Sequence, residues 1–228
     1  MIKTHQEIGR ELELFMFHSY SPGSCFFLPH GTRVYNALLD MLRKEYKKRG
    51  YDEVRTPMIA NSKLWKQSGH WDYYKDNMFT FKIKDESSDN NEDSHTFSNK
   101  PMNCPFHCLM YLNKVRSYRD LPLRLADFGS LHRNELSGSL HGLTRVRKFS
   151  QDDAHIFCRM DQVLEEVTNS LSFLNTIYSK LGFSEYKITL STRPNKFMGD
   201  LDIWDTAEKY LQKALESLQL KYSVNDKD

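Results

Sequence analysis

The chain has 228 residues, 39% of them hydrophobic and 13% aromatic, which suffices for one domain with a substantial core and suits a globular rather than a disordered protein. Its 32 basic and 30 acidic residues leave a net charge of +2, which neither indicates nor excludes a nucleic-acid partner. We expect no membrane association because no apolar run reaches about 18 residues, and four scattered cysteines favour a reducing cytoplasm over a disulfide framework.

The first part of the chain predicts two helices. Apolar residues at helical spacing from Ile8 to Phe15 indicate the first helix, and the breaker segment Ser21–Gly23 follows it. Thr32 is an N-cap candidate for the second helix, whose apolar positions continue at helical spacing. Gly50 would end this helix, after a basic last turn that suits the helix dipole.

Short strands and a polar insertion are predicted next. Glu53–Thr56 is β-like and ends at Pro57, while apolar residues alternate from Phe79 to Ile83, as in a half-buried strand. The following segment, Lys84–Asn99, is rich in Asp, Glu, Ser and Asn. Such a polar loop within a domain indicates a solvated surface insertion.

The last part of the chain predicts two more helices around a strand. A long helix begins near Asp161, with apolar residues alternating in steps of three and four, and ends at Gly182. Tyr186–Leu190 alternates as a strand, and a final helix is predicted from Trp204 to Leu218. Helices intermixed with antiparallel-looking strands favour an α+β fold over a doubly wound parallel sheet.

A cluster of charged and aromatic residues in the middle of the chain is the most informative feature. Arg133 and Glu135 would share one face of a strand, either as a surface ion pair or as separate groups for a phosphate and an amino group. A second alternating segment would place six side chains on one strand face: Arg145, Arg147, Phe149, Gln151, Asp153 and His155. Spacing alone leaves a solvated charged strand face as an open alternative to a binding site.

The same region resembles a known sequence motif. Phe128–His155 resembles motif 2 of class II aminoacyl-tRNA synthetases, in which a strand ends in Arg-x-Glu and a Gly- and Ser-rich loop leads to a return strand. Within that class, Pro101–Pro105 and Gln151–His155 resemble the threonyl-tRNA synthetase pattern, as does Ser117–Glu135. The likeness extends over nearly the whole chain and implies an antiparallel sheet flanked by helices.

The resemblance implies an ATP site with magnesium. Arg133 would hold the α-phosphate and stabilise the charge that develops as the amino-acid carboxylate attacks, a role that suits a planar, permanently charged group. Glu135 would accept a hydrogen bond from the adenine amino group, and Phe149 would stack on the adenine. Arg145 would reach the γ-phosphate.

The resemblance also implies a zinc-assisted threonine site. Cys104 and His155 resemble two of the three zinc ligands of the family, and the open coordination positions would take the amino and hydroxyl groups of threonine. Asp153 would accept from the threonine hydroxyl, while Met102 and Gln151 would line the pocket. From the residues alone, a buried thiol and an ordinary strand histidine are the simpler interpretations, because the 51-residue spacing matches no recognised zinc pattern.

Three further features are interpreted through the family. Ser68–Trp71 resembles a segment whose histidine assists transfer to tRNA, so His70 could take a ribose hydroxyl proton, although a turn histidine without a role is the alternative. Gly31–Pro57 resembles motif 1 and implies a homodimer interface, although Pro57 could simply end an edge strand. Phe106 departs from the family, which has glycine there, and we expect strain if that backbone requires a positive φ.

The resemblance therefore implies a threonine–tRNA ligase, which reacts threonine with ATP to an adenylate and transfers it to tRNA(Thr). Motif 3, the third zinc ligand and an anticodon-binding domain have no counterpart in residues 1–228, so we interpret the chain as an incomplete class II catalytic core, truncated before the last strands. We expect this fragment alone not to activate threonine. The alternative is a truncated, non-catalytic paralogue that binds RNA or a protein partner, with a basic strip of Arg116, Arg119 and Arg124.

Overall fold

The computed structural model describes residues 3–83 and 95–226. The chain divides into two compact units, the first made of Met1–Val115 and Arg124–His155 and the second of Arg116–Leu123 and Ile156–Asp228. Most of the predicted polar insertion, residues 84–94, lies outside the described residues. Within the described ranges, no helix is long and apolar enough to cross a membrane.

Helices and short strands are interspersed along the residues that the structure describes. The α-helices are α1 (His5–Glu11), α2 (Pro29–Lys48), α3 (Ser62–Gln67), α4 (His70–Tyr74), α5 (Cys104–Leu112), α6 (Val163–Lys180) and α7 (Leu201–Ser217). The strands are β1 (Phe15–Met16), β2 (Phe26–Phe27), β3 (Asp52–Glu53), β4 (Ile59–Asn61), β5 (Thr80–Lys82), β6 (Thr96–Asn99), β7 (Leu123–Asp127), β8 (Ser130–His132), β9 (Lys148–Ser150), β10 (Asp153–Phe157), β11 (Ile188–Ser191) and β12 (Tyr222–Asn225).

The strands pair in several small sheets of mixed direction. Antiparallel pairing joins β1 to β2, β8 to β9, and β6 to both β4 and β5. Parallel pairing joins β3 to β7 and β11 to β12, and the sheet that contains β3 has the order β10-β7-β3. The α+β fold class is confirmed, and the pairing is not antiparallel throughout, because β3 and β7 are far apart in sequence and meet side by side in the same direction.

The first two helices differ from the prediction in their bounds. Phe15 lies in β1 and not in the first helix, which has already ended. α2 begins at Pro29 and not after Thr32, because proline suits the first turn of a helix. The Thr32 hydroxyl instead donates to the carbonyl of Phe27 at 3.3 Å. Gly50 follows α2 with a φ of +72°, the left-handed conformation predicted for the end of this helix.

The segment predicted as a polar loop contains a strand at its end. Thr96–Asn99 forms β6, the central strand of its sheet, with Phe97 opposite Asn61 on one side and opposite Phe81 on the other. The loop prediction for these four residues is wrong, because backbone pairing on both sides outweighs their polar composition. The strand predicted at Phe79–Ile83 is confirmed as β5, but its side chains are exposed rather than half-buried.

An apolar cluster packs α5 against α3 in the first unit. Trp65, Met78 and Phe106 form its buried part, and Trp65 is completely buried. The rings of Trp65 and Phe106 meet edge to face, with centroids 5.6 Å apart. Because Phe106 lies two residues after Cys104, this packing positions the first turn of α5.

A buried network of charged and polar groups connects the segment before α5 to β7 and β8. The Lys100 side chain is fully buried, and its Nζ donates to Thr56 Oγ1 at 2.7 Å and lies 3.5 Å from Asp127 Oδ2. Asp127 also accepts from the Thr56 hydroxyl at 2.7 Å and from the Gly129 N–H at 2.7 Å. The backbone N–H of His132 donates to the Lys100 carbonyl at 2.9 Å, so the network fixes the Lys100 segment beside the end of β8.

The second unit consists mainly of two helices and a parallel strand pair. α6 follows a short 3₁₀ turn at Met160–Gln162, and Gly182 follows the helix with a φ of +81°, as predicted. β11 confirms the strand predicted near Ile188, and it pairs in parallel with β12. The final predicted helix is confirmed as α7.

Candidate active site

The hairpin of β8 and β9 carries most residues of the predicted nucleotide site. Leu131 pairs with Phe149 across the hairpin. β8 ends at His132, so the prediction that Arg133 and Glu135 share a strand face is wrong. The Arg133 N–H still donates to the Arg147 carbonyl at 2.9 Å, which extends the pairing by one residue without regular strand geometry.

The continuous strand face predicted from Arg145 to His155 is also wrong. β9 ends at Ser150, and β10 begins at Asp153 and belongs to a different sheet. Strict alternation therefore placed together side chains that belong to separate strands. The break comes at residues 151–152, which extend neither strand.

Arg133 stacks on Phe149. The guanidinium carbon lies 5.0 Å from the centroid of the Phe149 ring, within the range of a cation–π contact. The Arg133 Nε is buried and has no hydrogen-bond partner among the described residues. A buried, permanently charged donor of this kind is suited to an anionic ligand.

Glu135 is held by two arginines. Arg145 Nε donates to Glu135 Oε2 at 3.0 Å, and Arg147 Nε donates to the Glu135 carbonyl at 2.9 Å. Arg147 also donates to the hydroxyl of Ser137 at 3.1 Å, within the hairpin loop. The structure therefore brings the four predicted nucleotide-binding residues together in two contacting pairs.

The predicted metal and threonine residues lie on α5 and β10. Cys104 is the first residue of α5 and is half-buried, while Asp153 and His155 are half-buried on β10. Burial, and then the nearby charge of Asp153, raise the pKa of the Cys104 thiol above its ordinary value. Met102 is half-buried just before α5, whereas Gln151 is exposed.

Cys104 and His155 fit a zinc ion by donor chemistry. A thiol sulfur and an imidazole nitrogen are typical zinc donors, and the contact of His155 through Nδ1 leaves its Nε2 for a metal. No group of three or more His, Cys, Asp or Glu side chains able to hold a metal occurs in residues 3–83 and 95–226. A zinc ion held here would therefore need a further ligand beyond these two.

Two residues next to the site were missed by the sequence analysis. The side-chain amide of Asn103 donates to Asp153 Oδ2 at 3.0 Å, and the Nδ1 atoms of His107 and His155 are 2.8 Å apart. Burial, and then the proximity of His155, lower the pKa of His107 below its ordinary value. Pro105, the second residue of α5, was the signal that could have located this helix and these residues, because proline is favoured in the first turn.

His70 is the first residue of α4. Its Nδ1 is 2.9 Å from the hydroxyl of Ser68, and its ring meets Trp65 edge to face at 6.2 Å. Gly69 precedes it with a φ of +75°. The hydrogen bond and the ring contact fix the orientation of the imidazole.

Phe106 causes no backbone strain. It occupies the third position of α5, and it is not among the residues with positive φ. Its side chain is 6% exposed and packs in the Trp65 cluster. The expected strain is therefore not present, because the helical backbone at this position suits a residue with a side chain.

The chain matches a known protein family. The family model of the tRNA synthetase class II core domain (G, H, P, S and T) matches residues 79–223. The cytoplasmic threonine–tRNA ligase 1 of Homo sapiens is 56% identical over 226 residues, which are 99% of this chain and 30% of that protein. The cytoplasmic threonine–tRNA ligase of Saccharomyces cerevisiae is 56% identical over 227 residues, again with 30% of its length matched. The chain thus spans about 30% of these curated relatives.

Solved structures show the same fold. The RNA binding domain of threonyl-tRNA synthetase from Cryptosporidium parvum Iowa II matches with a TM-score of 0.91 and 47% identity, covering 100% of this chain and 55% of that one. A putative threonyl-tRNA synthetase from Aeropyrum pernix matches with a TM-score of 0.86 and 31% identity, covering 98% of this chain and 53% of that one. Prolyl-tRNA synthetase from Giardia lamblia shares the fold, with a TM-score of 0.67 and 22% identity. The match covers 77% of this chain and 35% of that one.

Proposed function

We propose that this chain, which belongs to the family of tRNA synthetase class II core domains, is the ATP- and threonine-binding part of a threonine–tRNA ligase. Such an enzyme reacts threonine with ATP to give threonyl-adenylate and then transfers the threonyl group to tRNA(Thr). One observation carries the proposal: the predicted nucleotide-binding residues meet in pairs at one hairpin, Arg133 with Phe149 and Arg145 with Glu135. Similarity to threonine–tRNA ligases over 99% of the chain supports threonine as the amino acid.

Arg133 would bind the α-phosphate of ATP. Its guanidinium stacks on Phe149, and its buried Nε has no hydrogen-bond partner among the described residues, so no protein acceptor competes with a phosphate for this Nε. Its fixed positive charge would stabilise the negative charge that develops when the threonine carboxylate attacks the phosphorus. Magnesium, which commonly bridges ATP phosphate oxygens, would accompany the nucleotide.

The same hairpin would hold the adenine and the terminal phosphate. Phe149 offers an aromatic face for the base, so ATP would share this ring with, or displace, the Arg133 guanidinium. Arg145 engages Oε2 of Glu135, which leaves Oε1 as an acceptor for the adenine amino group. The exposed side chain of Arg145 would reach the γ-phosphate.

Threonine would bind between α5 and β10. Cys104 and His155 would hold zinc together with a ligand from outside this pair, and the bound ion would take the amino and hydroxyl groups of threonine. Asp153 would accept from the threonine hydroxyl, while Met102 and Gln151 would line the pocket. Recognition through the hydroxyl would reject valine, which an apolar pocket of the same shape cannot do well.

His70 would assist the transfer step. An imidazole whose Nδ1 contacts the Ser68 hydroxyl has its other ring nitrogen available to take a proton from a tRNA ribose hydroxyl. His70→Gln in the complete protein should therefore slow transfer to tRNA(Thr) and leave adenylate formation unchanged. Equal slowing of both steps would contradict this role.

The complete protein would be a cytoplasmic homodimer. The cytoplasmic location is supported by the names of the similar ligases. The dimer interface would lie in Gly31–Pro57, where α2 exposes apolar side chains, including Val34 at 61% exposure. Val34→Asp should shift the complete protein toward monomer in sedimentation velocity, whereas an unchanged dimer would exclude this face as the interface.

Threonine-dependent exchange of pyrophosphate into ATP by the complete protein tests the proposed activity. Arg133→Ala should slow exchange about 100-fold or more, the size of effect found when one preorganised charge-stabilising donor is removed. Arg159→Ala is the matched control, because it removes an exposed ion pair with Asp161 in the second unit. No exchange by the unaltered complete protein would favour a non-catalytic role, and an unaffected Arg133→Ala variant would exclude the assigned site.

A further inference from the structure

Asn103 and His107 form a second layer behind two residues of the proposed threonine site. Both side chains are completely buried. Asn103 contacts Asp153, with its amide nitrogen 3.0 Å from Oδ2, and His107 contacts His155, with the two Nδ1 atoms 2.8 Å apart. The rings of the two histidines meet edge to face, with centroids 4.7 Å apart.

The two contacts are set by the periods of the elements that carry them. Asn103, the N-cap residue of α5, and His107 are four residues apart, which puts them on one helix face about 6 Å apart along the axis. Asp153 and His155 are two residues apart on β10, which puts them on one strand face at a spacing of about 6.6 Å. The helix and strand repeats therefore match, and both pairs form side by side.

Packing alone does not explain why Asn103 and His107 are polar. Asn103 Oδ1 and His107 Nε2 are buried and have no hydrogen-bond partner among the described residues. Buried polar atoms are rarely left without a partner, and an apolar side chain of similar size would fill the same space without that cost. The atoms that explain these two polar residues are therefore the ones that contact β10, the amide nitrogen of Asn103 and Nδ1 of His107.

The contact atoms determine what each outer residue can present. A carboxylate only accepts hydrogen bonds, so the amide nitrogen of Asn103 engages Asp153 Oδ2 and leaves Oδ1 for a ligand. Between His107 and His155 there is room for one proton. If the proton is on His155 Nδ1, the Nε2 of His155 keeps its lone pair and can bind a metal ion. If the proton is on His107 Nδ1, the neutral His155 carries its own hydrogen on Nε2, and that atom cannot bind a metal ion.

We infer that Asn103 and His107 are positioning residues, which hold Asp153 for the threonine hydroxyl and hold His155 in the metal-binding tautomer. The inference rests on the proposed function, in which Asp153 and His155 contact threonine and zinc. His107 acts as the hydrogen-bond acceptor for His155, and Asn103 acts as the donor that fixes Asp153.

The zinc half is tested by competition of the complete protein with a chelator of known affinity. His107→Leu should weaken zinc binding 10–100-fold, the effect typical of losing a group that orients a metal ligand. His107→Asn should restore binding to near the unaltered value, because its amide oxygen can accept from His155 Nδ1. Equal zinc affinity in the unaltered protein and the Leu variant would overturn the inference, as would equal weakening by Leu and Asn.

Cys104→Ser separates this inference from the proposed function on which it rests. Loss of zinc in Cys104→Ser with unchanged affinity in His107→Leu would overturn the inference and leave the zinc site standing. Unchanged zinc in Cys104→Ser would overturn the zinc site itself, and the role of His107 with it. Melting curves identify any variant that fails to fold, and in that event the Asn103 measurement decides the inference.

The threonine half is tested by steady-state exchange kinetics. Asn103→Ala should raise KM for threonine about 10-fold or more and leave KM for ATP unchanged, because only the amino-acid side loses a fixed hydrogen bond. A merely structural role would raise both constants or neither, and that result would overturn the inference. Leu109→Ala, on the exposed side of α5, is the matched control and should change neither.

Discussion

Phe106→Gly tests whether the residue that departs from the family stabilises or strains the structure. The change removes a ring that is 6% exposed and packs edge to face on Trp65 at 5.6 Å. Loss of a buried phenylalanine costs about 3–5 kcal/mol, and glycine in place of a residue with a side chain in α5 adds about 1 kcal/mol. We therefore expect the free energy of unfolding to fall by about 4–6 kcal/mol.

Thermal and urea unfolding of the chain measure this loss. At about 2–4 °C per kcal/mol for a protein of this size, Tm should fall by about 8–24 °C. Leu109→Gly is the control, since Leu109 lies on the same helix with 47% of its surface exposed and should lose about 1–2 kcal/mol. A Phe106→Gly variant as stable as the unaltered chain, or more stable, would show that the phenylalanine is strained after all.

Three other changes test the same region. Lys100→Met leaves the Asp127 carboxylate buried, so it should cost about 3 kcal/mol in urea unfolding. Lys48→Met should cost less than about 0.5 kcal/mol, because the Lys48 side chain is exposed and its partner Glu45 keeps its ion pair with Arg49. Burial, and then the charges of Lys148 and Lys100, lower the pKa of His132. The unfolded chain therefore takes up a proton below about pH 6.5 that the folded chain does not, so the free energy of unfolding should fall from about pH 7.5 to 5.5. His132→Gln should reduce that fall. Glu135→Gln should change stability by less than about 1 kcal/mol, because its partner Arg145 is exposed, yet raise KM for ATP in the complete protein about 10-fold.

The sequence predicted the helices better than the strands. α2, α6 and α7 have long apolar repeats, and Gly50 and Gly182 mark the ends of two of them. The strands are only two to five residues long, which is too short for a repeat to set their bounds. Their partners decide where they lie, as β6 shows: Thr96–Asn99 is polar, yet it is paired on both sides.

The family resemblance supplied the residues that we propose for the candidate site but not their contacts. Alternation placed Arg145 and His155 on one strand, whereas the structure divides that segment between two sheets. The pairing of Arg133 with Phe149 and of Glu135 with Arg145 depends on how the hairpin loop folds back, which spacing does not encode. Sequence therefore supplies the chemical groups, and tertiary structure supplies their arrangement.

The inner layer of the site was not predicted, because no single element of sequence contains it. Asn103 and His107 contact Asp153 and His155 only because α5 packs against β10. The four-residue spacing on the helix matches the two-residue spacing on the strand. The helix is in turn fixed from both ends of its first turn, by the bonds of Lys100 before it and by the packing of Phe106 within it. A loss at either of these two supports should move Asn103 and His107 together, and so affect the proposed threonine and zinc binding jointly, while the β8–β9 hairpin keeps its contacts of Arg133 with Phe149 and of Arg145 with Glu135.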